Sequence, residues 1–210
     1  MADGSPGDRN ALLRAARWLK ARAPARDGRW PALILVTDPT RMPDPVACAR
    51  RAPRGSAIIY RAFGAADAVE VGRKLAVVAS DRSLLLLVGA DADLARAIGA
   101  GGVHLPERLA RHAHRIGRAN PGWIITAAAH SGRAIRTAAH AGVHAVLVSP
   151  VFASASPSAG PPLGALRFAA LVRTSTLPVY ALGGVNGRTA ARLLASGATG
   201  LAAVDGLSTG

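Results

Sequence analysis

Eight short apolar runs, separated by stretches of helical length, constrain the fold of this chain more than any other feature. Each run is continuous instead of alternating, as in strands that are buried on both faces. Ala- and Arg-rich stretches such as AADAVEVGRKLAVVAS separate most of them, which indicates strands joined by helices. The runs are LILVTD (33–38), AIIYR (57–61), LLLLVG (84–89), GVHLP (102–106), WIITAAA (123–129), AVLVSPVF (145–152), PVYALGG (178–184) and GLAAVDG (200–206).

This rhythm predicts an α/β fold, a closed (β/α)₈ or TIM barrel. A doubly wound open sheet is the alternative, although no G-x-G-x-x-G follows the first run. Only LSTG follows the eighth run, so we expect the barrel to lack its final helix. Apolar residues near helical spacing in 9–23 predict an extra N-terminal helix, and this helix or a second subunit would cover the strand-eight edge. The expected division is an N-terminal tail and helix, 1–32, and a barrel domain, 33–210.

The net charge of +14 at pH 7 is the most conspicuous feature of the composition. The arginines are scattered and only 4% of residues are aromatic, which argues against a nucleic-acid interface. A single cysteine, Cys48, excludes an internal disulfide and fits a reducing compartment. No run reaches the roughly 18 apolar residues of a membrane span, and the N-terminus does not read as a signal peptide. We therefore expect a cytoplasmic protein. Its oligomeric state is left open, and a homo-oligomer is one alternative.

Two glycines, Gly183 and Gly184, end the seventh run, and Gly206 ends the eighth. In (β/α)₈ barrels a phosphate site commonly forms from the loops after strands seven and eight. Glycine lets backbone N–H groups approach an anion without a side chain between them. The alternative is that the glycines only turn the chain. The placement favours a site for a phosphorylated small molecule.

The motifs ILVTD, GVHLPE, AAAHS, SPVFASAS, LPVYALGGVN and GATGLAAVDG occur in this order along the chain. Their order and spacing resemble the thiamine phosphate synthase/TenI family, over roughly residues 33–207. The synthase joins a pyrimidine diphosphate to a thiazole phosphate and releases pyrophosphate with Mg²⁺, so the resemblance implies Mg²⁺ as cofactor and a role in thiamine biosynthesis. It also implies a catalytic Arg61 and substrate- or phosphate-binding residues Ser154, Ser156, Gly183, Gly184, Val204 and Asp205.

Several positions that are charged in the family hold uncharged residues here. Phe63 stands where the strand-two motif has its lysine, and Pro157 where the strand-six loop has another. The two metal carboxylates of the family match Ala90 and Leu109, so no metal ligand is assigned in this chain. Only Arg61 is then left to balance a diphosphate. Because one lost transition-state donor costs about 100- to 1,000-fold in rate, we expect weak, altered or absent synthase catalysis.

Other readings of the same residues stay open. The barrel could bind a phosphorylated ligand without turning it over, or could be TenI-like, although Pro150 replaces the histidine of that branch. Arg61 could pair with a neighbouring acid instead of a ligand. Asp38 and Asp91 are the candidate carboxylates at strand ends that could still support catalysis. His104, in GVHL, is expected to be a hydrogen-bonded core histidine.

Overall fold

The computed structural model describes residues 6–23, 30–154 and 160–204. Eight parallel strands form a closed barrel in sequence order, and β8 pairs back with β1. This confirms the (β/α)₈ barrel and excludes the open doubly wound sheet. The strands are β1 (Leu33–Val36), β2 (Ala57–Tyr60), β3 (Leu85–Gly89), β4 (Gly102–Leu105), β5 (Ile124–Ala129), β6 (Ala145–Val148), β7 (Val179–Ala181) and β8 (Gly200–Ala203).

Helices surround the barrel, and polar side chains fix where several of them begin. Asp44, Asp91 and Ser131 each accept a hydrogen bond from the backbone N–H of the third residue of the helix that follows, which caps its first turn. None of the helices in the described ranges combines the length and apolar character needed to cross a membrane. The helices are α1 (Pro6–Arg22), α2 (Pro45–Arg51), α3 (Ala68–Arg82), α4 (Ala92–Ala97), α5 (Ala113–Ala119), α6 (Gly132–His140), α7 (Gly164–Thr174) and α8 (Gly187–Ala190), with 3₁₀ helices at Glu107–His112 and Ala191–Leu193.

Strand residues alternate between the barrel interior and the layer between strands and helices. Both faces are buried, which is why the runs are apolar throughout. In β2, for example, Ile59 points inward and Ile58 packs under the helices. The alternation carries past the strand end, so Arg61 lies on the inner side. The interior is filled by Ile34, Val36, Ala57, Ile59, Leu87, Ala145, Leu147, Tyr180 and Ala202.

The expected N-terminal helix is present and covers one side of the barrel. α1 packs against α8, β8 and β1, and its apolar face is buried in the same core as the strands. Close approach to α8 requires a glycine, because a Cβ on Gly187 would collide with the backbone oxygen of Asp8. The residues after Val204, on which the expected absence of a final helix depends, lie outside the described part of the chain.

Candidate active site at the carboxyl ends of the strands

A cavity of about 940 Å³ opens at the carboxyl ends of the strands. This is the end at which (β/α)₈ barrels carry their active sites. Ser156 and Asp205, two of the predicted site residues, lie outside the described residues. The other predicted site residues line the cavity together, namely Arg61, Ser154, Gly183, Gly184 and Val204.

Backbone geometry and close packing both require glycine in the Gly183–Gly184 turn after β7. Both residues adopt left-handed backbone angles, with φ of 88° and 63°. A Cβ on Gly183 would lie 2.8 Å from Cα of Pro150, and one on Gly184 would collide with the carbonyl oxygen of Ala153. The glycines therefore turn the chain and let the loop after β6 approach closely. The structure agrees with the alternative stated above, in which the glycines serve the turn. A Gly184→Val substitution would displace that loop, so it would not test anion binding alone.

The same turn leaves backbone donors unused. Within the described residues, the N–H groups of Gly183 and Gly184 form no hydrogen bond. At the start of α8, by contrast, Oδ1 of Asn186 accepts from the N–H groups of Arg188 (3.0 Å) and Thr189 (3.1 Å). An anion at this strand end would therefore meet the two glycine N–H groups and the exposed Arg188 side chain, which also lines the cavity.

Arg61 is fixed at the end of β2 by the loop after β1. Its Nε donates to the backbone oxygen of Thr37 at 2.6 Å, and its Nη2 lies 3.0 Å from Oδ2 of Asp38. Burial alone would raise the pKa of Asp38, but the hydrogen bond from Thr40 and the charges of Arg41 and Arg61 hold this pKa below its ordinary value. Burial lowers the pKa of Arg61, and the Asp38 charge partly offsets this. Arg61 thus pairs with an acid and also lines the cavity.

The cavity carries more positive charge than the sequence motifs indicate. Arg41, Arg108 and Arg188 line it together with Arg61, so the expectation that Arg61 is the only cation is wrong. Arg41 follows β1, Arg108 lies in the 3₁₀ helix after β4, and Arg188 lies in the first turn of α8. Each arginine lies in the segment that follows a strand, which makes it a candidate in the sequence, but the path of the loop decides whether its side chain reaches the cavity.

The side chains at this mouth do not fit Mg²⁺, which prefers oxygen ligands. Ala90 lines the cavity, whereas Leu109 packs against the hydrophobic core. Asp91 accepts the N–H of Leu94 at 2.8 Å as the cap of α4, and Asp93 is paired with an arginine of the same helix. Nowhere in residues 6–23, 30–154 and 160–204 do three His, Cys, Asp or Glu side chains come together to hold a metal ion.

Two histidines border the cavity. Nδ1 of His104 lies 2.9 Å from Oγ1 of Thr126 on the neighbouring strand, which confirms the expected hydrogen bond. The residue is partly buried and lines the cavity, so the expectation that it belongs to the core is wrong. Burial and the nearby Arg61 charge lower the pKa of His104 to about 4, so this ring is neutral at pH 7. His130 was not assigned to the site; its Nδ1 lies 2.5 Å from the backbone oxygen of Ser149. His104 therefore offers a neutral hydrogen-bonding group and adds no charge at pH 7.

Comparisons with known proteins agree with this architecture. The family model described as thiamine monophosphate synthase matches residues 33–207. A thiamine-phosphate synthase of Roseiflexus sp. (strain RS-1) is 33% identical over 147 residues, which cover 67% of this chain and 60% of that protein. A thiamine-phosphate synthase of Methanoculleus marisnigri is 34% identical over 131 residues, which cover 61% of each chain. The matches thus span less than two thirds of the length of these curated relatives.

A solved structure shows the same fold. The thiamine phosphate pyrophosphorylase from Pyrococcus furiosus superimposes with a TM-score of 0.73 at 25% identity. The alignment covers 84% of this chain and 86% of that one. The similarity therefore extends over most of the barrel.

Proposed function

This chain belongs to the thiamine monophosphate synthase family, and we propose that its cavity binds a phosphorylated small molecule while catalysing the synthase reaction weakly or not at all. Family membership connects the chain with thiamine biosynthesis by resemblance. The observation that carries the proposal is the composition of the cavity wall. Four arginines line it together with Gly183 and Gly184, whose N–H groups have no hydrogen-bond partner among the described residues. Apolar residues, by contrast, occupy positions that are charged in the family.

The anion end of the proposed site combines β7, β8, β1 and β2, which are neighbours in the closed barrel. Gly183 and Gly184 would donate backbone N–H groups to a phosphate, and Arg61 and Arg188 would add charge-assisted hydrogen bonds. Val204 would form the wall at β8. We extend the proposal to Ser154, Ser156 and Asp205 from the resemblance alone.

Catalysis would require groups that this cavity wall lacks. A departing pyrophosphate needs positive charge where its negative charge accumulates. The family supplies part of that charge with lysines and Mg²⁺, and this chain has Phe63 and Ala90 at two of the corresponding positions. The four arginines favour binding of an anion, but they cannot replace oxygen ligands for a metal. We therefore expect binding to persist where catalysis does not.

Two measurements test the proposal together. Purified protein with Mg²⁺, pyrimidine diphosphate and thiazole phosphate should yield little or no thiamine phosphate. Isothermal titration calorimetry should detect binding of inorganic phosphate, and Arg188→Gln should weaken it about tenfold because a charge-assisted bond is lost. Arg173→Gln, on the exposed face of α7, is the matched control and should leave phosphate binding unchanged. Robust turnover, or no phosphate binding, would overturn the proposal.

A gain-of-function variant tests the reason for the weak catalysis. Phe63→Lys and Pro157→Lys return the two cations, and Ala90→Asp returns an oxygen ligand. The triple variant should acquire thiamine phosphate synthesis or at least ligand binding that depends on Mg²⁺. If the unmodified chain already shows that Mg²⁺ dependence, the substituted positions do not limit its chemistry.

A further inference from the structure

A groove of about 540 Å³ lies on the outer wall of the barrel, between α2 and α3. Among the described residues, it shares none with the cavity at the carboxyl ends of the strands. Arg54 precedes β2 and Arg82 precedes β3, so the groove reaches the opposite, amino end of these strands. A partner seated in it would leave the cavity mouth open. The residues that line this α2–α3 groove are Arg50, Arg54, Lys74, Val77, Val78, Asp81 and Arg82.

The charge of the α2–α3 groove is strongly positive. Four cations line it, against a single acid, Asp81, among the described residues. Arg50 is exposed and forms neither a hydrogen bond nor an ion pair within the described part of the chain. Lys74 is paired with Glu70, but the two side chains are 59% and 69% exposed, so water and salt screen this pair. The groove therefore attracts an acidic partner.

Two of the cations are held in place by the ends of the helices. Nη1 of Arg54, in the segment after α2, donates to the backbone oxygen of Asp81 at 3.1 Å. In the reverse direction, Nη2 of Arg82 on α3 donates to the backbone oxygen of Ala52, the residue after α2, at 2.7 Å. These bonds use only part of the five N–H donors of each guanidinium. Because both groups are already fixed, less side-chain entropy is lost when an anion binds them.

The groove also presents an apolar side chain. Val77 is 62% exposed and lies on the same face of α3 as Lys74 and Asp81, whereas Val78 beside it is buried. This combination favours a ligand that carries both carboxylates and an apolar side chain. A nucleic acid has no such side chain to place on Val77, and no aromatic ring on which a base could stack occurs among the described lining residues. A second copy of this chain is disfavoured because two chains of net charge +14 repel each other.

We propose that the α2–α3 groove is a docking site for an acidic peptide segment of a partner protein. One apolar side chain of the segment packs on Val77, and the flanking carboxylates pair with Arg50, Arg54 and Arg82. Arginine suits this role because its planar guanidinium can bind a carboxylate through two parallel hydrogen bonds. The groove is small, so the contact is weak and reversible. This site is additional to the proposed function of the cavity and does not depend on it.

The first test uses two labelled peptides on the full chain, with fluorescence anisotropy as the readout. In one, glutamates and aspartates flank a central leucine; in the other, serine replaces that leucine and the charge is the same. The leucine peptide should bind about three- to tenfold more tightly, because it buries apolar surface on Val77. Val77→Thr keeps the branched shape of the side chain but adds a hydroxyl, so it should reduce the preference to less than about twofold.

Charge variants locate the carboxylates. Arg50→Glu replaces an attraction by a repulsion in the groove and should weaken binding of the leucine peptide about tenfold. Arg173→Glu, at an exposed position of α7 outside the groove, makes the same change in net charge and should weaken binding less than about twofold. Glu70→Gln frees Lys74 from its ion pair and should strengthen binding roughly two- to threefold.

Three results would overturn the inference. Equal weakening by Arg50→Glu and Arg173→Glu would show that the overall charge of the protein attracts the peptide, without a role for the groove. Equal affinities for the two peptides in the unmodified chain would remove the role of Val77. Displacement of the peptide by a single-stranded oligonucleotide of equal charge that binds more tightly would assign the groove to nucleic acid. Arg188→Gln, which alters the cavity, should leave peptide binding unchanged, so the outcome is independent of the proposed function.

Discussion

Nη2 of Arg61 lies 3.0 Å from Oδ2 of Asp38, and this ion pair joins the ends of β1 and β2 at the edge of the cavity. The side chains are 27% and 16% exposed, so solvent screens the pair only in part. Asp38 cancels much of the charge that Arg61 would otherwise present to an anion. If the cavity binds phosphate as proposed, the pair therefore controls how strongly this side attracts it.

Asp38→Asn should raise the affinity for inorganic phosphate roughly three- to tenfold, because it removes one negative charge beside Arg61. The same change should lower the free energy of unfolding by about 1–3 kcal/mol, since partly buried arginines lose a charged partner. Calorimetry measures the first effect and urea unfolding the second. Glu70→Gln is the control: it breaks an exposed ion pair with Lys74 on α3 and should alter neither quantity. Weaker phosphate binding by Asp38→Asn would mean that Asp38 orients Arg61 for the ligand.

Ala90 is held at a φ of 62°, where a Cβ is unfavourable. Ala90→Gly should therefore raise the free energy of unfolding by about 1 kcal/mol, because relief of this strain exceeds the entropy that glycine adds to the unfolded chain. Ala97→Gly, at an exposed position of α4, is the matched control and should destabilise by roughly 0.5–1 kcal/mol. Urea unfolding of both variants decides the matter. Equal losses at the two positions would contradict strain at Ala90.

The lowered pKa of His104 predicts a pH dependence of stability. Its pKa is about 4 in the folded chain, against an ordinary value of 6.5. Between these values the unfolded chain binds a proton that the folded chain does not, so stability is fully present above pH 6.5 and falls as the pH drops towards 4. The loss should be about 3 kcal/mol at most, at 1.36 kcal/mol per pKa unit. Asp38, with a pKa below 3.8, contributes its own loss only at lower pH.

Urea unfolding at pH 7 and pH 4.5 measures this effect. His104→Gln removes the titrating ring, so the difference in stability between the two pH values should shrink in the variant. His112→Gln, on the outer 3₁₀ helix, is the control and should retain the full difference. An unchanged difference in His104→Gln would show that another group titrates in this window.

The barrel was predictable because burial of both strand faces leaves a continuous apolar run. Each predicted run contains one strand of the structure, but the run 145–152 overestimates its strand. β6 ends at Val148, and Pro150 follows it. The run 178–184 is also too long, since the chain turns at Gly183 with a positive φ. Apolar composition thus locates strands, while backbone geometry decides where they end.

The site was predictable only where a residue belongs to a strand-end motif. Arg61, Gly183 and Gly184 line the cavity as the motifs indicated. Arg108 was missed because its approach to the cavity depends on the path of the 3₁₀ helix after β4. The neighbouring Leu109 faces the core. Matching a motif by sequence therefore does not show which of two adjacent side chains faces the cavity. The path of the loop decides this, and it could not be predicted from the single sequence.

The N-terminal helix supplies the last prediction. We propose that residues 33–210 carry the site and that residues 1–32 contribute α1 as a cover for β8 and β1. Leu12 of α1 is fully buried in the core shared with the strands, so Leu12→Ala should lower the free energy of unfolding by about 2–4 kcal/mol. Leu166→Ala, at an 87% exposed position of α7, makes the same chemical change and should leave the free energy of unfolding within about 0.5 kcal/mol of the unmodified value.

Deletion of residues 1–24 should destabilise the chain further or expose an apolar patch that promotes association. A truncated chain as stable and as monomeric as the full one, as judged by urea unfolding and analytical ultracentrifugation, would refute the covering role of α1.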